Sequence, residues 1–190
     1  TGAEAVSAAK RAGYPVVLKL VSPDIRHRSD VGAVRLNLRR ADEVQAAFLD
    51  LTSLGQRLLE GTNVQGCLVQ AMAPRHSKEV LLHLTRDKQF GPLLSFAVAG
   101  VSHEVLRDRT FRLAPLNLND ASDMIRELHS FPLLRGVRGE QPVDFKALED
   151  VILTMSQLAV DFPEITEAWF DPIMIHPKGV LVADIRLSLT

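Results

Sequence analysis

The sequence predicts an α+β fold of two lobes with a cleft between them. Three observations carry that prediction. The first part of the chain runs helix, strand, loop, strand, helix. Several strand-like runs then follow one another with short polar connections, as in an antiparallel meander. A long helix and a closing pair of strands complete this second group. Elements of these two kinds bury their apolar faces by layering helices on sheets. The expected lobes are residues 1–65 and 66–190.

The elements are read in order. "GAEAVSAAKRAG" is a short Ala-rich helix ending at Gly13, with Thr1 and Glu4 spaced as in a capping box. "YPVVLKLV" is a buried strand that contains a lysine, and "SPDIRHRSDVG" is a polar loop. "AVRLNLR" alternates apolar and polar residues, so it is a strand with one wet face. "DEVQAAFLDLTSLGQRLLEG" has helical spacing. "VQGCLVQAM", "EVLLHLTRD" and "PLLSFAVAG" are successive strands, and "FRLAPL" adds a fourth. "DASDMIRELHS" is a helix with an Asp cap. "PVDFKALEDVILTMSQLAVDFP" is a longer helix whose Phe145, Leu148, Ile152, Met155, Leu158 and Ala159 form a core stripe. The last strands, either side of "HPKG", join the same sheet as a hairpin. The chain begins at a helix cap without an initiator methionine, which predicts a piece of a longer protein.

Composition narrows the function. The 22 basic and 23 acidic residues leave a formal net charge of −1. This gives no electrostatic case for nucleic acid or an anionic membrane as partner. No apolar run approaches the roughly 18 residues of a membrane span, and the N-terminus lacks a signal-peptide pattern. The single cysteine, Cys67, excludes an internal disulfide and reads as a small core residue. A reducing, cytoplasmic compartment is expected.

Several side chains carry possible chemistry. Lys19 lies within "VVLKLV" and must reach either water at a sheet edge or an anion, because an unpaired buried ammonium is costly. The loop around Arg26, His27, Arg28 and Ser29, followed by Gly32, has the makings of a phosphate cradle. His27 is also a candidate phosphoryl acceptor. Glu79 starts a strand and either binds a ribose hydroxyl or faces water. His76, His83, His103, His129 and His176 are scattered, with no zinc-ligand spacing. Asp171 and Asp184 stand 13 residues apart on the two arms of the closing hairpin. Cross-strand neighbours approach within about 5 Å, so a cation between the carboxylates is one reading. Oxygen ligands with few other protein groups suit Mg²⁺ that also holds nucleotide phosphates. The other reading is an Asp-Pro turn and an unrelated surface aspartate.

The ordered set "GYPVVLKLVSPDIRHRSDVGAV", "LVQAM", "KEVLLHLTRDKQFGPLL", "HEVLRDRTFRLAPL", "RGVRG" and "EITEAWFDPI…ADIRL" covers essentially the whole chain. In this order it resembles the ATP-grasp domain of the NDP-forming acyl-CoA synthetases, relatives of the succinyl-CoA synthetase β subunits. The resemblance implies an ATP-grasp fold that clasps ATP or ADP with Mg²⁺. It implies that Lys19 contacts the phosphates and that Gly32 opens the loop over them. Gln70, Ala71 and Met72 would read adenine through backbone groups, and Glu79 would bind ribose. Asp171, where the family has Asn, and Asp184 would hold Mg²⁺. His27 would carry a phosphoryl group in transit during acyl-CoA formation. CoA-binding and CoA-ligase domains, in the same or a partner chain, would complete the reaction.

The chain also departs from the family. Ala33 replaces a glycine, and "AVAG" at Ala97 to Gly100 replaces "GxGG", adding methyls at close-approach positions. Trp169 stands where the family has an acid that seats the phosphohistidine, a role an indole cannot fill. Two further readings therefore stand beside the enzyme. One is a degenerate regulatory domain of the kind found in synthetase-like protein lysine acetyltransferases. The other is a plain α+β interaction module.

Overall fold

The computed structural model describes residues 1–23, 25, 31–58, 63–99 and 108–190. They form two compact units, Thr1–Met72 and Ala73–Thr190. Among the described residues, no helix is long and apolar enough to cross a membrane.

The first unit contains helix α1 (Gly2–Ala12), strands β1 (Val16–Val21) and β2 (Val34–Leu38), helix α2 (Ala41–Leu58) and strand β3 (Gly66–Ala71). Thr1 and Glu4 make the expected capping box on α1. The sheet order is β2-β1-β3, antiparallel throughout. Val16, Leu18 and Leu20 of β1 pack with Ala5 and Ala9 of α1 and with Val44, Ala47 and Leu51 of α2. Alternation then turns Val17 and Lys19 to the opposite face of β1.

β3 corrects the sequence reading. Its pattern groups it with the strands that follow, but it pairs with β1 from Val16↔Ala71 to Val21↔Gly66. A strand's partner is a long-range choice that local periodicity does not encode. As an edge strand with one neighbour, β3 is half-exposed rather than buried. Cys67 is accordingly half-buried, and burial raises its thiol pKa.

The second unit carries strands β4 (Lys78–Asp87), β5 (Gly91–Val98) and β6 (Thr110–Leu113). Helices α3 (Leu118–Arg126), α4 (Phe131–Leu134) and α5 (Phe145–Asp161) follow, and strands β7 (Ile165–His176), β8 (Gly179–Val182) and β9 (Ile185–Leu189) close it. The antiparallel order is β6-β5-β4-β7-β8, with β9 also on β7. One face is covered by helices. Val80, Leu82 and Leu84, Leu94 and Phe96, and Ile173 and Ile175 share a core with Met124 and Ile125 of α3 and Leu148, Ile152 and Met155 of α5. The stripe read for α5 is therefore its buried face, with Phe145 and Leu158 partly buried at its margin. α3 is capped by Asn117, which Asp120 answers in a capping box, rather than by an aspartate.

Two pieces of the resemblance set have structural roles. In "RDKQFGP", the Asp87 carboxylate accepts from the N–H groups of Gln89 and Phe90 at 2.7 and 2.9 Å, and Gly91 turns at φ +83. In "RGVRG", a Cβ on Gly136 would lie 2.3 Å from the Glu140 carbonyl oxygen, at φ +86. Only glycine fits there. Glu140 in turn pairs with Lys78 at 2.7 Å.

Candidate functional site

The residues that could bind a ligand on the second unit lie on the sheet face turned away from α3 and α5. On β4 this face carries Glu79, Leu81 and His83, since Val80, Leu82 and Leu84 occupy the core. The closing hairpin is continuous in register. His176 pairs with Gly179, Ile173 with Val182, and Phe170 with Ile185. The turn expected at "HPKG" joins β7 to β8, and a short break at Ala183 and Asp184 separates β8 from β9. At that break the Asp171 N–H donates to the Asp184 carbonyl at 3.1 Å, and the Ala183 N–H donates to the Pro172 carbonyl at 2.9 Å. Asp171 and Asp184 thus face each other across the hairpin.

A bulge re-aims this point. Val80 pairs with Ile173 but Leu82 pairs with Phe170, so Leu81 faces both Asp171 and Pro172. An extra residue in one strand shifts the alternation and redirects side chains, a common device beside functional sites. Below the bulge Ala168 and Phe170 meet the core; above it Ile173 and Ile175 do. The face away from the helices then reads in rows. Glu79, Met174 and Leu181 form one, and Leu81, Asp171 and Asp184 the next. Ser95, His83, Trp169 and Arg186 form the third. Asp171 is exposed and Asp184 half-buried. The Asp184 Oδ1 accepts from the Ile185 N–H at 3.0 Å, which fixes the direction of that carboxylate.

The third row holds what sequence reasoning missed. His83, read as one of several scattered histidines, stacks on Trp169 with ring centroids 3.6 Å apart and planes within 15°. Its Nε2 lies 3.1 Å from Glu167 Oε1, one step further along β7. Burial pushes the imidazole below its usual pKa, against the opposite pull of Glu167, and Arg109 adds to the lowering. The pairing joins residues far apart in the chain, so no local spacing marks it. Beside His83, the Ser95 hydroxyl is buried without a hydrogen-bond partner.

The lowered His83 pKa has a stability consequence. The unfolded chain binds this proton more readily, so stability is retained above the unfolded value, about pH 6.5, and falls as pH drops toward the folded value. The His83→Gln variant is expected to flatten the dependence of Tm on pH just below pH 6.5. Equal slopes in both proteins would refute the assignment.

On the first unit, Lys19 is central rather than at an edge, opposite Val34 and Leu68, and only 8% exposed. It has a polar partner, as a buried ammonium requires. Gly32 is exposed at φ +67, a conformation that favours glycine, and Arg35 donates to its carbonyl at 2.6 Å. Gln70 and Ala71 end β3. The Met72 N–H is taken by the Pro15 carbonyl at 3.0 Å. Antiparallel alternation then turns the Ala71 N–H and C=O to the side of β3 away from β1. His27 lies outside the described residues. Among those described, no group of three or more His, Cys, Asp or Glu side chains could hold a metal by itself.

Residues 1–189 match a family model described as the ATP-grasp domain. The chain is 41% identical over 186 residues to the acetate–CoA ligase (ADP-forming) I of Archaeoglobus fulgidus, covering 98% of this chain and 27% of that one. It is 38% identical over 186 residues to the acetate–CoA ligase (ADP-forming) I subunit beta of Pyrococcus furiosus, covering 98% and 80%. It therefore spans about a quarter of the first relative and most of the second. Among solved structures, the dinucleotide-forming acetyl-coenzyme A synthetase 1 of Ca. Korarchaeum cryptofilum, in complex with coenzyme A, Ca-AMPCP and HgCl+, superposes with a TM-score of 0.96. The identity is 40%, over 100% of this chain and 82% of that one. The antiparallel α+β architecture, the opposed aspartates and these likenesses lead to one conclusion: the chain belongs to the ATP-grasp domain family, alongside the ADP-forming acid–CoA ligases.

Proposed function

We propose that this chain is the nucleotide-binding ATP-grasp part of an ADP-forming acyl-CoA synthetase. In that role it passes a phosphoryl group between nucleotide, histidine and acyl phosphate while coenzyme A is acylated. The observation that carries the reading is the pair Asp171 and Asp184, opposed across the hairpin at a bulge and one row from Glu79. Residues opposed across a hairpin can bring two carboxylates to one cation, and hard oxygen donors suit Mg²⁺. Asp171 and Asp184 would hold such an ion, which would supply positive charge to offset that of the nucleotide phosphates. Glu79 accepts from the ribose hydroxyls, Lys19 is a cation for the phosphates, and Ala71 and its neighbours Gln70 and Met72 border the base. Gly32, at a φ that favours glycine, is the proposed close-approach point for the phosphates, and His27 is the proposed phosphoryl carrier.

CoA-binding and CoA-ligase domains, in the same or a partner chain, complete the reaction. The Korarchaeum structure, with coenzyme A and Ca-AMPCP bound, supports nucleotide and coenzyme A as ligands of the whole enzyme. The relatives named above are ligases, so the regulatory reading has less support.

Calorimetry with Mg-ATP and Mg-ADP tests the proposal. Wild type is expected to bind both, and Lys19→Ala to bind about tenfold or more weakly, since one charge-assisted phosphate contact is lost. No binding by wild type at millimolar nucleotide would reject the reading.

A further inference from the structure

We propose that His83 contacts the terminal phosphoryl group of a bound nucleoside triphosphate, with Glu167 and Trp169 as positioning residues that hold its ring. The inference rests on the nucleotide reading above and extends it by one row. The sheet face orders its polar groups along the strands: Glu79, then Asp171 with Asp184, then His83 with Trp169 and Arg186. A nucleotide with its ribose at Glu79 and its phosphate-bound cation at the aspartates runs in that direction. Its outermost phosphoryl group then arrives at the third row.

The third row is built for a fixed contact. Stacking on Trp169 sets the plane of the imidazole. The hydrogen bond to Glu167 sets its rotation about that plane and makes Nε2 the protonated nitrogen of the neutral ring. The two ring nitrogens are separated by Cε1 and point in diverging directions. With Nε2 held by Glu167, Nδ1 is the nitrogen available to a ligand. Ser95, with its buried unbonded hydroxyl, flanks His83 on β5, and Arg186 flanks Trp169 on β9. Buried polar groups without partners are rare, and a ligand is one way of supplying them.

Charge completes the argument. Among the described residues, the groups facing His83 are Glu167 of β7, Arg109 ahead of β6, Arg186 of β9 across Trp169, and Ser95 of β5. Without ligand the ring is neutral, and Nδ1 can only accept. A phosphoryl oxygen brought to Nδ1 favours the imidazolium, which takes one proton from solvent and becomes a donor to that oxygen. A diphosphate, one phosphoryl group shorter, does not reach this row.

Titration calorimetry in two buffers of different protonation heat, near pH 7, tests this. The ligands are Mg-ADP and the Mg complex of a non-hydrolysable ATP analogue. Wild type is expected to take up a proton with the triphosphate and none with Mg-ADP. His83→Gln should lose that uptake and about tenfold in triphosphate affinity, with Mg-ADP affinity unchanged, which also shows the variant folded. Glu167→Gln, which keeps the imidazole but weakens its anchor, should lose part of both. Undiminished triphosphate binding in His83→Gln, proton uptake that persists in it, or equal loss of both nucleotides would overturn the assignment. If wild type binds neither nucleotide, it is the nucleotide site itself that fails.

Discussion

Asp184→Ala is expected to weaken Mg-nucleotide binding by about a hundredfold, or about 2.7 kcal/mol, while leaving the fold intact. The fold survives because the Asp184 bond that closes the hairpin is a backbone carbonyl accepting from the Asp171 N–H, which alanine retains. What is lost is the carboxylate, one of the two proposed metal ligands, together with its bond to the Ile185 N–H. Asp184→Asn keeps an oxygen and loses the charge, so its affinity should fall between the two. Calorimetry with Mg-ADP, with and without a chelator, reads the effect. Wild-type affinity in Asp184→Ala would show that the opposed aspartates are not the cation's ligands.

The largest effect on stability is expected at Arg86, which binds no ligand in this scheme. Its guanidinium leaves β4 and donates to the carbonyls of Ile165 at 2.7 Å and Phe162 at 3.0 Å, and also to that of Ala159. These carbonyls belong to the last turn of α5, its C-cap and the start of β7. A cation there satisfies acceptors that the helix end leaves over and complements the helix dipole. Arg86→Met keeps the apolar stem and removes the donors. We expect a loss of about 2–4 kcal/mol in unfolding free energy, allowing about 1.5–3 kcal/mol per charge-assisted bond with incomplete additivity. Arg86→Lys should recover little, because one ammonium lacks the planar fork that serves several carbonyls. Urea denaturation measures it, and a change below about 1 kcal/mol would show that water replaces the guanidinium at little cost.

Much of this architecture was legible. The capping box at Thr1 and the stripe on α5 depend on residues within a few positions of each other, and they read directly. So did the opposition of Asp171 and Asp184, because a tight turn sets the register of the arms it joins. β3 was misplaced, since its partner strand lies far back in the chain. Lys19 stayed ambiguous for the same reason: whether β1 is central or an edge depends on β3. Trp169 was visible as a departure from the family pattern. Its partner was not, because the contact with His83 exists only once β4 and β7 pair across the intervening helices. The acid in this neighbourhood is also a matter of register. Glu167 shares the face of Trp169 and reaches the same row through His83.

The bulge at Asp171 and Pro172 sets the terms on which this site can evolve. Side chains two apart on β7 share the face away from the helices, and the extra residue opposite Leu81 corrects the count so that Ile173 returns to the core. Exchanges such as a carboxylate for an indole leave this count untouched and can accumulate one row at a time. Gain or loss of a single residue in β7 would instead turn Glu167, Trp169 and Asp171 inward and core isoleucines outward in one event. Lineages carrying this domain should therefore vary in the chemistry of the strand while holding its length constant.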